Sequence, residues 1–123
     1  MVLVDTSVWV DHLRRGNARL AHLLEREEVA CHPFVVGELA CGSLRNRAEI
    51  MSLLRALPSL TRAQDDEVLY FIERHSLMGR GLGLIDVHLL ASAILEGAAL
   101  WTLDSRLDSV VRQFHLGTSE LRD

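Results

Sequence analysis

Hydrophobic residues along this chain fall into two patterns, very short apolar runs and longer stretches in which they recur every three or four positions. Residues 2–4, 29–31 and 98–103 are apolar runs that predict buried strands. The stretches between them have helical spacing and end at Gly or Pro. Short strands alternating with helices predict an α/β domain over residues 1–123, with a parallel sheet covered by helices on both faces.

Seven amphipathic or apolar segments predict helices. Asn17 is suited to cap the second of them, and Pro33 to occupy the first turn of the third. The predicted helices cover residues 7–14, the segment after Asn17, and residues 33–42, 46–57, 64–78, 86–97 and 105–114. Residues 59–61 predict a further short strand, and residues 116–118 a last strand at an edge of the sheet.

The helix predicted from Asp86 has the apolar residues of a buried helix, and an acidic residue stands at its head. Three glycines, Gly79, Gly81 and Gly83, precede it, and Gly97 ends it. A carboxylate between Gly-rich turns and a buried helix costs free energy unless another group compensates its charge. Asp86 is therefore either an ordinary helix cap or part of a charged site.

Four acidic residues are predicted at one edge of the sheet. Asp5 ends the first strand and Asp104 ends the strand over residues 98–103, while Asp86 and Glu38 lie near the starts of two helices. Sites of open α/β sheets form at this carboxyl edge, and four anions there need a cation or shared protons. Oxygen-only ligands suit Mg²⁺ or Mn²⁺.

From the residue pattern alone, simpler roles for the same acids remain open. Asp86 and Asp104 could be plain N-caps, Asp5 a turn residue, and Glu38 a solvated side chain.

Composition narrows the choice of function. The net charge is −4, and all 13 basic residues are Arg, so chemistry that needs a lysine is excluded. Receiver domains and haloacid-dehalogenase-like phosphatases both use a lysine, and the latter also need an acid where Ser7 stands. Two cysteines are too few for a disulfide framework, and neither a signal peptide nor a membrane span is evident, which predicts a cytoplasmic protein.

Four motifs resemble those of the PIN-domain ribonucleases, in the same order along the whole chain. They are Asp5-Thr6-Ser7 after the first strand, Glu38-Leu-Ala in the helix that Pro33 opens, Gly83-Leu-Ile-Asp86, and Trp101-Thr102-Leu-Asp104. Together with the short length, they are most similar to the VapC toxins of bacterial toxin–antitoxin pairs.

The resemblance implies a three-layer α/β/α sandwich with a short, mainly parallel five-stranded sheet. It also implies a Mg²⁺- or Mn²⁺-dependent endoribonuclease that hydrolyses tRNA or rRNA to 5′-phosphate and 3′-hydroxyl ends. The implied partners are RNA, a cognate VapB-like antitoxin and a second copy of the chain, as a homodimer and a toxin–antitoxin hetero-oligomer. The alternative is a catalytically silent PIN-like or receiver-like domain that only binds a partner.

Carried over by motif, Asp5, Glu38, Asp86 and Asp104 form the catalytic and metal site, and Asp86 or Glu38 accepts the proton of the attacking water. Thr6 and Thr102 then orient carboxylates.

RNA that reaches an acidic pocket needs a basic rim. We expect Arg80, Arg14 and Arg15 to contribute to it. Asp108 is better explained as the helical partner of Arg112, and both tryptophans, Trp9 and Trp101, as core residues. The glycines around Arg80 do not indicate a dinucleotide site, because they follow a helix instead of a strand.

Overall fold

A short parallel sheet forms the centre of the computed structural model, which describes residues 1–117. Strand β1 (Val2–Val4) lies between β2 (Val29–Ala30) and β3 (Ala99–Trp101), and both pairings are parallel. Every strand residue except Ala99 is buried. A sheet buried on both faces needs helices on both sides, so the predicted α/β architecture with a parallel sheet is confirmed.

The prediction of five strands is wrong for the residues described. Residues 59–61 contribute one isolated parallel bridge, Cys31 to Ser59, instead of a strand. On the opposite edge the Leu100 N–H donates to the Leu116 carbonyl at 2.9 Å, but residues 116 and 117 form no strand. Pro58 precedes the first segment and lacks the N–H that a longer ladder needs. The rest of the second segment, from Thr118, lies outside the described residues.

Seven helices surround the sheet in this part of the chain, as predicted. Asn17 caps the second through its side-chain oxygen, which accepts the Leu20 N–H at 3.0 Å. Helix α1 packs on α3, α3 on α4 and α5 on α6, while β3 contacts both α6 and α7. The helices are α1 (Thr6–Arg15), α2 (Ala18–Glu25), α3 (Pro33–Ala40), α4 (Arg47–Ala56), α5 (Asp65–Arg74), α6 (Leu84–Glu96) and α7 (Ser105–Gln113).

Helix α6 is buried on all sides over seven consecutive residues, Val87 to Ala93. Ile94, the next residue, is exposed. Among the buried residues of α6 is Ser92, whose hydroxyl donates to the Thr61 carbonyl at 2.7 Å and lies 3.1 Å from Nε2 of His32. This polar contact ties α6 to the start of α3.

His32 is fully buried and caps α3, because its Nδ1 accepts the Phe34 N–H at 3.0 Å. The proton of the ring therefore sits on Nε2 and is donated to Ser92, whose own proton goes to Thr61. Burial, together with the nearby His88 and Arg62, lowers the pKa of His32 to about 4. His32 is thus a neutral structural residue at ordinary pH.

Two further expectations from the sequence are met in the described part of the chain. Trp9 and Trp101 are buried core residues. Neither Cys31 nor Cys41 forms a disulfide. None of the helices between residues 1 and 117 is both long and apolar enough to cross a membrane.

Candidate functional site

Asp5 directly follows β1 and is buried, with 7% of its surface exposed. Its N–H continues the sheet by donating to the Trp101 carbonyl at 2.9 Å. Asp5 also occupies the N-cap position of α1, yet its carboxylate makes no capping hydrogen bond. The carboxylate is held by side chains instead, one nearby in the chain and one that follows β3, so it is not a simple helix cap.

Two hydroxyl groups hold the same oxygen of Asp5. Ser7 donates to Oδ2 at 2.8 Å, and Thr102, which follows β3, donates to it at 2.7 Å. Each hydroxyl also accepts a backbone N–H, Ser7 that of Leu103 and Thr102 that of Asp104, both at 3.0 Å. Because a hydroxyl has one proton, donation to Asp5 uses it, and these groups form a fixed clamp on Oδ2.

Asp104 is the N-cap of α7, as the simpler explanation predicted. Its Oδ1 accepts the N–H groups of Arg106 at 2.8 Å and Leu107 at 3.3 Å. These bonds satisfy two of the N–H groups that are free at the start of the helix.

Asp86 is not itself a helix cap, contrary to the expectation. Helix α6 begins two residues earlier at Leu84, and Gly83 occupies the N-cap position. Asp86 lies in the first turn and its Oδ2 reaches back to accept the Gly83 N–H at 2.9 Å. An acid at this position still satisfies a free N–H of the helix start, which explains why the sequence pattern resembled a cap.

Glu38 lies on the exposed side of α3, and its Oε1 accepts the hydroxyl proton of Thr6 at 2.6 Å. Thr6 is the first residue of α1, which packs on α3. The contact between α1 and α3 therefore directs Glu38 toward the same edge as Asp5.

All four carboxylates share one feature. One oxygen of each is fixed by a hydrogen bond within the protein, and the other has no partner in the described part of the chain. The free oxygens are Asp5 Oδ1, Glu38 Oε2, Asp86 Oδ1 and Asp104 Oδ2. Such an arrangement orients each acid and leaves one ligand atom available.

The charges of the four acids act on one another. Burial raises the pKa of Asp86 most strongly, the Gly83 N–H opposes this, and the charges of Asp5, Asp104 and Glu38 raise it further. The structure thus brings the four predicted acids close enough to interact. However, within residues 1–117 no three Asp, Glu, His or Cys side chains converge into a ready-made metal-binding cluster.

The arginines predicted for the rim differ in their surroundings. Arg14 is exposed and lines a groove of about 600 Å³ that also contains Thr6, Glu38 and Arg45. Arg15 forms an ion pair with Asp11 at 2.6 Å.

Arg80 is partly buried and donates to Gln113 Oε1 at 2.8 Å. Asp108 pairs with Arg112 at 2.8 Å, as expected.

Two residues beside the site were not predicted from the sequence. Ser7 clamps Asp5, and the available signal was its place two residues after an acid that ends a strand. Arg106, two residues after Asp104, lies across the glycine loop before Asp86. Its position depends on a contact between distant parts of the chain, which no local pattern reveals.

Comparisons with known proteins identify the relatives of this chain. It is 46% identical over 121 residues, 98% of either sequence, to Ribonuclease VapC32 of Mycobacterium tuberculosis, in strains CDC 1551 / Oshkosh and ATCC 25618 / H37Rv. Its fold is similar to that in the structure described as "Crystal Structure of PAE2754 from Pyrobaculum aerophilum", with a TM-score of 0.61 and 17% identity over 93% of this chain and 94% of the other. The family model described as PIN domain matches residues 2–113. This chain therefore belongs to the PIN-domain family and is of the VapC type.

Proposed function

We propose that this protein is a Mg²⁺- or Mn²⁺-dependent endoribonuclease that acts as the toxin of a toxin–antitoxin pair. It hydrolyses phosphodiesters of tRNA or rRNA and leaves 5′-phosphate and 3′-hydroxyl ends. The observation that carries the proposal is the set of four carboxylates from four elements, each fixed through one oxygen and free at the other. Similarity to a protein named Ribonuclease VapC32 supports the same reaction class.

The donor set fits the proposed metal. The four acids offer carboxylate oxygens, and no histidine or cysteine lies among them, which favours Mg²⁺ or Mn²⁺ over Zn²⁺. Mg²⁺ keeps several waters and needs only one or two protein carboxylates beside substrate oxygens, so a closed cluster of protein ligands is unnecessary. Asp5, Glu38, Asp86 and Asp104 would hold the ion. When bound, it would neutralise charge and lower the pKa of a water molecule.

Hydrolysis requires water to attack phosphorus while the bond to the 3′-oxygen breaks. Asp86 is the acid best suited to accept the proton of that water, because burial and its three acidic neighbours raise its pKa. The Ser7–Thr102 clamp holds Asp5, and Thr6 holds Glu38, so these side chains need little rearrangement when substrate arrives. The proton finally reaches the 3′-oxygen, either from Asp86 or from solvent.

RNA must approach this acidic edge along cationic surface. The groove that contains Glu38 also presents Arg14 and Arg45, and within the described residues neither guanidinium forms an ion pair. Arg15 and Arg80 each use one donor within the protein but retain others for phosphate. We propose these arginines as RNA contacts.

The biological setting follows from the VapC type. We propose that a cognate VapB-like antitoxin binds and inhibits the protein, that the toxin is a homodimer which joins the antitoxin in a hetero-oligomer, and that it acts on RNA in the cytoplasm.

The test is incubation of pure protein with unfractionated bacterial tRNA and ribosomal RNA, with Mg²⁺, with Mn²⁺ and with excess EDTA. We expect cleavage with either metal, none in EDTA, and a rate at least about 10³-fold lower in Asp86→Asn. Asp66→Asn, which changes an exposed acid on α5, is the matched control and should cleave normally.

Three results would contradict the proposal. Cleavage that persists in EDTA, or that Asp86→Asn performs at the wild-type rate, excludes a nuclease that depends on these acids. Cyclic phosphate ends would indicate attack by the RNA 2′-hydroxyl, a route that normally uses a pair of histidines.

A further inference from the structure

The glycine loop between α5 and α6 is held against α7 at two points. Arg80 donates to Gln113 at 2.8 Å. The side chain of Arg106 lies directly over Gly81, so that a methyl group on Gly81 would be 2.7 Å from Cδ and 3.3 Å from Nε of Arg106. The same loop supplies the N–H of Gly83 that fixes Asp86. Arg106 therefore rests on the segment that orients one of the four acids.

Arg106 is equally close in the chain to a second acid. Its backbone N–H donates to Asp104 Oδ1 at 2.8 Å, in the first turn of α7. The backbone of Arg106 thus donates to Asp104, and its side chain extends across the loop before Asp86. Arg106 therefore contacts both Asp104 and the loop that leads to Asp86.

The guanidinium of Arg106 is exposed and, among residues 1–117, forms no hydrogen bond or ion pair. Arg106 therefore pairs with none of the four acids, and its five N–H donors are available to a ligand. Arg112 on the same helix is different, since it pairs with Asp108.

We propose that Arg106 binds a backbone phosphate of the RNA at the margin of the acidic site, with Gly81 as the surface that holds its side chain. The inference rests on the ribonuclease function proposed above and adds a substrate contact to it. An anionic chain approaching four carboxylates needs a cation beside them, and a guanidinium matches two phosphate oxygens at once. Gly81 has φ +79° and no side chain, both of which the contact requires.

The test measures binding and cleavage of unfractionated tRNA by the full-length protein. Arg106→Gln should weaken binding by about ten-fold, raise KM and leave kcat nearly unchanged. The slope of log Kd against log salt concentration should fall by about 0.7 to 0.9, the value for one lost phosphate contact. Arg112→Gln removes the same charge from α7 and should change Kd less than two-fold.

Two further variants separate this role from a structural one. Arg106→Lys keeps the charge without the fork, so it should restore the salt slope and only part of the affinity. Gly81→Ala should displace Arg106 and weaken binding, while the double variant Gly81→Ala/Arg106→Gln should bind no more weakly than Arg106→Gln alone. Thermal unfolding of each variant shows whether it is folded. If Arg106→Gln is not folded, the binding measurements on Arg106→Lys replace it as the test.

Wild-type Kd and salt slope in Arg106→Gln would overturn the assignment, as would a double variant whose two effects simply multiply. The proposed ribonuclease function fails separately, if the wild-type protein cleaves no RNA with either metal. Normal cleavage by wild type together with normal binding by Arg106→Gln refutes only the role of Arg106.

Discussion

Removing the hydroxyl clamp on Asp5 tests whether the orientation of this acid matters for catalysis. Thr102→Val keeps the shape of a buried side chain and deletes the hydroxyl that donates to Asp5 at 2.7 Å and accepts the Asp104 N–H at 3.0 Å. Ser7→Ala deletes the second donor, at 2.8 Å. Neither change alters the charge of the site.

The expected loss of kcat follows from the strength of these hydrogen bonds. A bond to a charged acceptor contributes about 1.5–3 kcal/mol. Either hydroxyl alone still holds Oδ2, so we expect each single variant to lower kcat by about 5- to 20-fold. The double variant frees the carboxylate and should lose at least the product of the two single effects, about 10²-fold. KM should change little, because neither hydroxyl is expected to contact RNA.

The assay is single-turnover cleavage of unfractionated tRNA with saturating Mg²⁺, compared with urea unfolding of the same proteins. Thr102→Val should cost about 1–2 kcal/mol of stability, since it leaves the Asp104 N–H without its partner. Ser109→Ala is the matched control, because this exposed hydroxyl on α7 makes no hydrogen bond in the described part of the chain.

A double variant that is folded and cleaves within two-fold of wild type would refute the reasoning. Asp5 would then need no orientation, or would not take part in catalysis. An increase in KM at constant kcat would instead show that the hydroxyls contact substrate.

Two other predictions concern the hydrogen bond of Thr6 and the buried side chain of His32. Thr6→Val should lower kcat only about two- to five-fold, because its bond to Glu38 is exposed to solvent, and an effect as large as that of Thr102→Val would contradict this ranking. The pKa of His32 is lowered to about 4, below its unfolded value of about 6.5, so its contribution to stability is complete above pH 6.5 and is lost as the pH falls toward 4. Urea unfolding should show wild type losing about 2 kcal/mol more than His32→Asn between pH 7 and 5, and equal losses would refute the role of His32.

Local patterns in the sequence predicted most of the elements. The cap at Asn17, the proline at the start of α3 and the apolar residues of α6 are short-range signals, and the helices they predict are present. Within the part of the chain that the structure describes, the prediction of two further strands was wrong for a physical reason. Cys31 and Ser59 form one bridge only, and whether such a segment extends into a ladder depends on its neighbours, not on its own residues.

The same distinction applies to the candidate site: its short-range contacts could be predicted from the sequence, and its long-range contacts could not. Asp104 bonds to N–H groups two and three residues away, which a cap pattern reveals. The bond between Thr102 and Asp5 spans 97 residues, and the contact of Arg106 with Gly81 spans 25. The first of these could be expected only from the resemblance to a family, and the second was not expected at all.

The site depends on the register of two strands that are only three residues long. Pairing of Val4 with Trp101 places Asp5 beside Thr102 at the ends of β1 and β3, and the Asp5 N–H continues the ladder to the Trp101 carbonyl. A shift of one residue would turn Thr102 to the opposite face of the sheet and remove its bond to Asp5. The buried residues of β1 oppose such a shift, because Leu3 and Val4 would then have to pack against different neighbours in the core. The apolar core beneath the strands therefore fixes the geometry of the carboxylates above it.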